Sequence, residues 1–118
     1  MFYNRRMKIL IARTEAEISY AADVLSRASA VGCDTETSSL SARGGKLFSI
    51  QFSDGDFNAL IPISERVGLG ALASVLADSS IVKIFHNARF DLEFLRENGI
   101  VVSNFFCTMI AEKLIVKG

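Results

Sequence analysis

Apolar residues occur along the chain in short runs typical of strands and at the longer spacing typical of helices. Leu47–Ser53 alternates with a period of two, and the turn at Asp54-Gly55-Asp56 leads into a second apolar run over 57–63. This pattern predicts a β-hairpin. Apolar runs also predict strands over 8–12, 30–34, 81–85 and 100–102.

Segments with the apolar spacing of a helix lie between most of these runs. Thr14 and Glu17 have the spacing of a capping box, and the apolar residues after them predict a helix over 15–29. Gly99 closes a predicted helix over 88–98, and further helices are predicted over 69–76 and 108–116. Three successive strands followed by alternating helices and strands predict an α/β fold, with a mixed β-sheet flanked by helices.

Composition is typical of one globular domain over residues 1–118. Half of the residues are hydrophobic and 22% are charged, which excludes a disordered composition. Lysine plus arginine equals aspartate plus glutamate at 13 each, so the formal net charge is zero. A protein that coats nucleic acid through a wholly basic surface is therefore disfavoured. An enzyme that binds only the end of a nucleic-acid strand is compatible with zero net charge.

Cysteine usage and the N-terminal residues predict a cytoplasmic protein. Cys33 and Cys107 lie outside any C-x-x-C pattern, so they predict no zinc site and suit a reducing compartment as small buried residues. The first eight residues are basic, but no apolar run is long enough for a signal peptide or a membrane span. We expect no membrane partner.

Two carboxylates follow directly on a buried strand. Asp34 and Glu36 are two residues apart, so in a strand both project from the same face. Adjacent carboxylates repel unless a cation lies between them, and hard oxygen ligands favour Mg²⁺ or Mn²⁺. The alternative interpretation is a strand that ends in a solvated polar turn, which is the commoner meaning of an isolated D-x-E pair.

A third carboxylate opens a helix about fifty residues later. Asn87 and Asp91 are four residues apart and share one helical face, just after the strand that ends at Phe85. An aspartate in a first helical turn also interacts favourably with the helix dipole, which is the alternative interpretation of Asp91. Considered together, the two segments allow the acids to converge at one end of the sheet. That arrangement suits a two-metal site for phosphodiester cleavage.

These segments resemble the motifs of the DEDD 3′→5′ exonucleases. Residues 31–37 resemble the first exonuclease motif, 85–92 resemble the second, and 107–114 are similar to the helix that follows. The resemblance runs from about Ile9 to Gly118. It is strongest to the proofreading exonuclease domain of the DNA polymerase I group, and ribonuclease D is also similar. A ribonuclease H-like mixed sheet is the implied fold.

The resemblance implies a function and a set of site residues. Asp34, Glu36 and Asp91 would be the catalytic metal ligands, for two Mg²⁺ or Mn²⁺ ions in a complete site. The implied activity is hydrolysis of nucleic-acid 3′ ends, with single-stranded DNA favoured over RNA. Leu40 matches a leucine that wedges against the terminal base, although a core leucine after a turn explains it equally well. The implied substrate-binding residues are Thr35, Thr37, Leu40, Asn87 and Phe90.

Two departures from the family pattern leave a second interpretation open. The third family motif, a tyrosine or histidine followed four residues later by an aspartate, lies on a later helix, and the chain is expected to lack the last helices of the family. Tyr3 and Tyr20 lie upstream of the first motif, and Cys107 stands where the family usually has an aspartate. The alternative is a catalytically inactive nucleic-acid-binding or protein-interaction module. A polymerase domain or a second chain is the partner expected to complete the site.

The remaining candidate functional residues are expected to have structural or solvent-exposed roles. His86 is the only histidine, and its position at a strand end favours a structural or supporting role. Arg43 and Lys46 are expected in a solvated turn rather than on a phosphate. Phe105 and Phe106 are expected to be partly exposed, which would favour self-association.

Overall fold

The computed structural model describes residues 9–38, 45–63 and 68–111, which form a mixed six-stranded sheet with helices. The strands lie in the order β1-β4-β3-β2-β5-β6. The elements in chain order are β1 (Ile9–Ile11), α1 (Glu15–Leu25), β2 (Ala30–Thr37), β3 (Leu47–Ser53), β4 (Asn58–Pro62), α2 (Leu72–Ala77), β5 (Val82–Phe85), α3 (Ala88–Glu97) and β6 (Phe105–Cys107). The predicted mixed sheet is confirmed.

The connections between parallel strands determine which side of the sheet the helices cover. Strand β3 is antiparallel to both of its neighbours, and the other paired strands are parallel. Each crossover through α1, α2 or α3 moves in the same direction across the sheet. Because such crossovers are right-handed, all three helices pack on one face. We call this side the helix face and the opposite side the open face.

Burial follows this division. On β2, Val31 and Cys33 are buried beneath the helices, whereas Asp34 and Glu36 are exposed on the open face. The helix face carries the hydrophobic core, in which Phe52, Phe85 and other large side chains are fully buried. Each such side chain contributes about 1.5–3 kcal/mol through removal of apolar surface from water. The alternation that creates the core therefore also places the acidic pair outside it.

Local signals at helix ends agree with the structure in most places. The capping box of α1 is confirmed: the Glu17 N–H donates to Thr14 Oγ1 at 3.1 Å, and the Thr14 N–H donates to Glu17 Oε1 at 3.0 Å. The helix ends at Leu25, earlier than the predicted residue 29. Its last turn tightens there, because the Ala28 N–H donates to the Leu25 carbonyl at 3.1 Å.

The predicted strand over 100–102 is wrong. Gly99 adopts a positive φ of 74° that ends α3, and the Ile100 N–H donates back to the Leu95 carbonyl at 2.9 Å. The backbone N–H of the following Ser103 donates to the Leu76 carbonyl, which holds the segment against α2 rather than in the sheet. The edge strand is instead β6, which pairs in parallel with residues 83–85 of β5.

Several expectations fall at or beyond the limits of the described residues. Residues 108–111 are helical, and the rest of the predicted helix over 108–116 lies outside the described residues, as do Leu40 and Arg43. Phe105 and Phe106 are half exposed, as expected. Within the described ranges, none of the helices has the length and apolarity needed to cross a membrane.

Candidate functional site

The acidic pair lies on the open face, next to neutral polar side chains of β3. Asp34 pairs with Gln51, and Glu36 pairs with Ser49, in the antiparallel ladder between β2 and β3. Directly opposed residues of such a ladder project from the same face, with Cβ atoms about 5 Å apart. A shallow pocket of about 180 Å³ is lined by Asp34, Thr35, Glu36, Ser49 and Gln51.

The third acid reaches this region from the helix face. Asp91 lies in the first turn of α3 and is only 4% exposed. Its Oδ1 accepts a hydrogen bond from Thr35 Oγ1, although the two residues are 56 positions apart in sequence. Thr35 lies between Asp34 and Glu36 on β2, so this hydrogen bond ties the D-x-E strand directly to the helix that carries the third acid.

The electrostatics of Asp91 are those of an acid held beside another acid. Burial raises the pKa of the Asp91 carboxyl, the hydrogen bond from Thr35 opposes that rise, and the negative charge of Asp34 adds to it. Two ion pairs join Arg27 to Asp23 and Arg89 to Glu93, and neither of them includes Asp34 or Asp91. A cation beside Asp34 and Asp91 would relieve the repulsion, and carboxylate oxygens fit Mg²⁺ or Mn²⁺.

The three acids do not form one compact cluster. Among the described residues, no three side chains of histidine, cysteine, aspartate or glutamate lie close enough together to hold a single ion. The structure therefore places Asp34 and Glu36 on one face and brings Asp34 into electrostatic interaction with Asp91. The assignment of all three as metal ligands stays a prediction.

The turn between β5 and α3 is held by a thiol. The Ala88 N–H at the start of α3 donates to Cys107 Sγ at 3.4 Å, and that thiol donates to the His86 carbonyl at 3.4 Å. The hydrogen bond from Ala88 lowers the pKa of the Cys107 thiol, whereas burial raises the pKa of Cys33 to about 12. Cys33 is the buried apolar residue that was predicted, but Cys107 is half-buried and caps a helix.

The remaining predicted substrate-binding residues have mixed surroundings. Asn87 is exposed and makes no side-chain capping bond to α3, so its amide stays on the surface. Phe90 is half-buried and packs on Phe94, with ring centroids 5.1 Å apart. Thr37 is half-buried and pairs with Leu47 beside a register shift at the end of β2. Their assignment as substrate-binding residues stays a prediction.

Sequence reasoning missed Ser49 and Gln51 as neighbours of the acids. The period-two pattern of Leu47–Ser53 put them on one face of their strand, which was a usable signal. The pattern did not reveal which residues of β2 they oppose, because ladder register depends on the whole sheet.

Comparison with known proteins identifies what this arrangement is similar to. The family model described as 3′-5′ exonuclease matches residues 9–118. Ribonuclease D of Bartonella henselae is 35% identical over 111 residues, which cover 92% of this chain and 27% of that protein.

Solved structures agree in fold. Brucella melitensis NrnC bound to pGG is 32% identical with a TM-score of 0.76, and 92% of this chain matches 53% of it. The same protein with bound Mg²⁺ is 34% identical with the same TM-score and the same coverage. Escherichia coli RNase D, described as an exoribonuclease involved in structured RNA processing, is 25% identical with a TM-score of 0.75, and 89% of this chain matches 28% of it. The chain thus spans between about a quarter and a half of the length of these relatives.

Proposed function

The chain belongs to the 3′-5′ exonuclease family, and on that premise we propose that it is a metal-dependent nuclease that removes nucleotides from the 3′ end of single-stranded RNA. The observation that carries the proposal is the Thr35–Asp91 hydrogen bond, since it joins the two acidic segments at one end of the sheet. Asp34, Glu36 and Asp91 are the proposed ligands of two Mg²⁺ or Mn²⁺ ions. The Mg²⁺ bound to NrnC supports a divalent cation at this fold.

RNA replaces DNA as the proposed substrate. The sequence alone favoured single-stranded DNA because the resemblance to polymerase proofreading domains was strongest. The relatives found by comparison include ribonuclease D and NrnC, and NrnC was solved with pGG. These relatives support an RNA 3′ end and give no support to a preference for DNA.

The three acids have two proposed roles in cation binding. Divalent cations in such sites supply Lewis acidity and stabilise the attacking and leaving oxygens of phosphodiester cleavage. Asp34 and Glu36 would bind cations from the open face, where a strand end can approach through solvent. Asp91 is buried and held by Thr35, so its carboxylate has little rotational freedom and is oriented in advance.

Thr35→Val is expected to weaken Mn²⁺ binding about tenfold, because the valine keeps the side-chain shape and loses the hydrogen bond that orients Asp91. The measurement is calorimetric titration of the purified chain. Thr35→Ser retains the hydroxyl and serves as the matched control, with affinity expected within about twofold of the parent. Equal weakening in both variants would contradict the proposed role of the hydrogen bond, because the serine retains the hydroxyl that donates to Asp91.

The proposed function is tested with 5′-labelled single-stranded RNA and DNA of the same base sequence, incubated with the chain and Mg²⁺ or Mn²⁺. We expect stepwise shortening from the 3′ end, release of nucleoside monophosphates, and faster shortening of RNA. Binding of RNA in the presence of the cation without any shortening would overturn the proposal and favour a non-catalytic binding module.

A further inference from the structure

A second pocket lies between α3 and the segment that leads into β6. It has a volume of about 550 Å³, compared with about 180 Å³ for the pocket beside the acids. Residues 100–102 and Phe105 form one side of it. The other side is formed by residues of α3 that are spaced three or four apart and so share one helical face: Arg89, Leu92, Glu93 and Arg96. We call this pocket the α3–β6 groove.

The apolar side of the groove is exposed to solvent and yet held in place. Phe105 is 50% exposed. The segment that leads into it is fixed by two backbone hydrogen bonds. The Ile100 N–H donates to the Leu95 carbonyl at 2.9 Å. The Ser103 N–H donates to the Leu76 carbonyl at 2.9 Å. A ligand would therefore cover apolar surface without first having to order this segment.

The α3 side adds positive charge. Arg89 and Arg96 supply two guanidinium groups, and Glu93 supplies one carboxylate. The Arg89 side chain is 90% exposed, and its Nε lies 3.9 Å from Glu93 Oε2. This separation is too long for a hydrogen bond, and exposed ion pairs are weak, so an incoming anion can displace the carboxylate. The lining of the groove therefore has a net positive charge, although the whole chain has a formal net charge of zero.

A positive groove with an exposed aromatic ring fits an unpaired nucleotide. Guanidinium groups bind phosphate oxygens through two parallel hydrogen bonds, and an aromatic ring offers a surface on which a base can stack. Pockets that bind small ligands usually have volumes of about 300–1,000 Å³. The volume of the α3–β6 groove lies in that range, so it can hold a single nucleotide.

The groove and the acidic site share α3. Asp91 lies in the first turn and is bonded to Thr35 of the sheet, whereas Arg89, two residues earlier, faces solvent. Each residue advances about 100° around a helix, so side chains two apart project in nearly opposite directions. A strand whose 3′ end lies at the acids can therefore pass the first turn of α3 and continue along its outer side. This continuity favours nucleic acid over an acidic protein segment, whose carboxylates would also bind guanidinium groups.

We propose that the α3–β6 groove binds one unpaired nucleotide of single-stranded RNA, upstream of the 3′ end. Arg89 and Arg96 bind phosphates, and Phe105 stacks on the base. The choice of RNA rests on the proposed nuclease function, whereas the choice of a nucleotide rests on the charge and the exposed ring. This binding needs no divalent cation, since none of the proposed metal ligands lines the groove.

The test is the fluorescence anisotropy of a labelled single-stranded RNA of about eight nucleotides, titrated with the chain in EDTA so that the RNA is not cleaved. Arg96→Gln should weaken binding about tenfold, because it removes a charged contact to phosphate. It should also reduce the slope of log K against log salt by about 0.7, the change expected for one phosphate contact of a single strand. Arg27→Gln removes the same charge from an exposed arginine outside the groove, so its affinity should stay within about twofold of the parent.

Phe105→Leu tests the stacking contact. It should weaken RNA binding about tenfold and leave the salt slope unchanged, because it removes a ring and no charge. Phe106→Leu is the matched control: Phe106 is equally exposed, but neighbouring residues of a strand project to opposite faces, and it does not line the groove. Its affinity should stay within about twofold of the parent.

Equal weakening by the two arginine variants, or by the two phenylalanine variants, would overturn the inference, as would the absence of RNA binding by the parent in EDTA. Poly-glutamate that displaces the RNA as well as unlabelled RNA of the same charge does would also overturn it, because the groove would then be a site for acidic protein segments.

The outcomes separate this inference from the proposed function. If the parent binds RNA through the groove but neither binds Mn²⁺ nor shortens RNA, the proposed function fails and the groove inference stands. If the parent binds Mn²⁺ and shortens RNA while Arg96→Gln and Phe105→Leu bind RNA as tightly as the parent, the groove inference alone fails.

Discussion

Asp34→Asn is expected to abolish measurable divalent-cation binding and to reduce shortening of RNA by about 10³-fold or more. Asp34 lies on the open face within β2 and interacts electrostatically with the buried Asp91. The amide retains the side-chain shape but removes the charge that makes the site attractive to a cation. Calorimetric titration with Mn²⁺ and the RNA shortening assay check the two parts of the prediction separately.

Stability distinguishes this effect from simple unfolding. The charge of Asp34 raises the pKa of Asp91, so the two carboxylates repel each other when no cation is bound. Removing that charge relieves the repulsion. The melting temperature of Asp34→Asn, measured without divalent cations, is therefore expected to equal or exceed that of the parent. A clear fall in melting temperature would mean that Asp34 supports the fold, and loss of binding would then say little about a metal site.

Asp56→Asn is the matched control because it makes the same chemical change at the other end of the sheet. Asp56 lies exposed in the turn between β3 and β4, whereas Asp34 lies within β2, opposite Gln51. Cation affinity and RNA shortening should both stay within about twofold of the parent, since charges separated by more than a Debye length of about 8–10 Å are largely screened. Equal losses in both variants would point to a general charge effect rather than to a site.

Local patterns predicted the parts of the site that depend on one strand or one helix. The alternation along β2 was enough to place Asp34 and Glu36 on one exposed face, and the structure confirms that placement. The capping box of α1 was likewise visible because its donors and acceptors are three residues apart. Patterns of this kind predict the folded structure correctly because the interacting groups are neighbours in the chain.

The sequence pattern did not predict contacts between segments that are distant in the chain. The Thr35–Asp91 bond spans 56 residues, and the Cys107 thiol that caps α3 lies 19 residues from Ala88. The edge strand was predicted at the wrong residues for the same reason. Residues 100–102 are as apolar as those of β6, and only the pairing with β5 determines which of the two segments forms the strand. The preference for DNA was wrong for a different reason. Carboxylates that bind cations act at the phosphate, and DNA and RNA differ in the sugar, so the acids do not distinguish the two substrates.

Lys83→Ala is expected to lower the free energy of unfolding by about 3–5 kcal/mol. Lys83 is 0% exposed in the middle of β5, and its Nζ donates to the Val75 carbonyl at 3.1 Å and to the Asp78 carbonyl at 2.6 Å. These carbonyls lie at the C-terminal end of α2, where helical partners run out. The alanine variant loses both hydrogen bonds and leaves a cavity where the aliphatic stem was packed. Urea denaturation of the parent and the variant measures the difference.

Lys83→Met separates the two contributions, because methionine fills most of the same volume and has no donor. Burial lowers the pKa of the Lys83 ammonium, so holding that charge in the core has its own cost, which methionine also removes. The expected loss is therefore smaller, about 1–3 kcal/mol. The exposed Lys46→Ala should change stability by less than about 0.5 kcal/mol. A methionine variant as stable as the parent would show that the Nζ hydrogen bonds add nothing beyond the cost of burying the charge.

Cation affinity should be unchanged in Lys83→Met at temperatures where the variant is folded. Lys83 fastens α2 to β5 on the helix face, whereas the proposed ligands Asp34 and Glu36 project from the open face. The substitution therefore removes a support of the sheet without altering the oxygens offered to the ion. A large loss of Mn²⁺ affinity in this variant would contradict that separation, since it would mean that the attachment of α2 to β5 also governs the position of the acids.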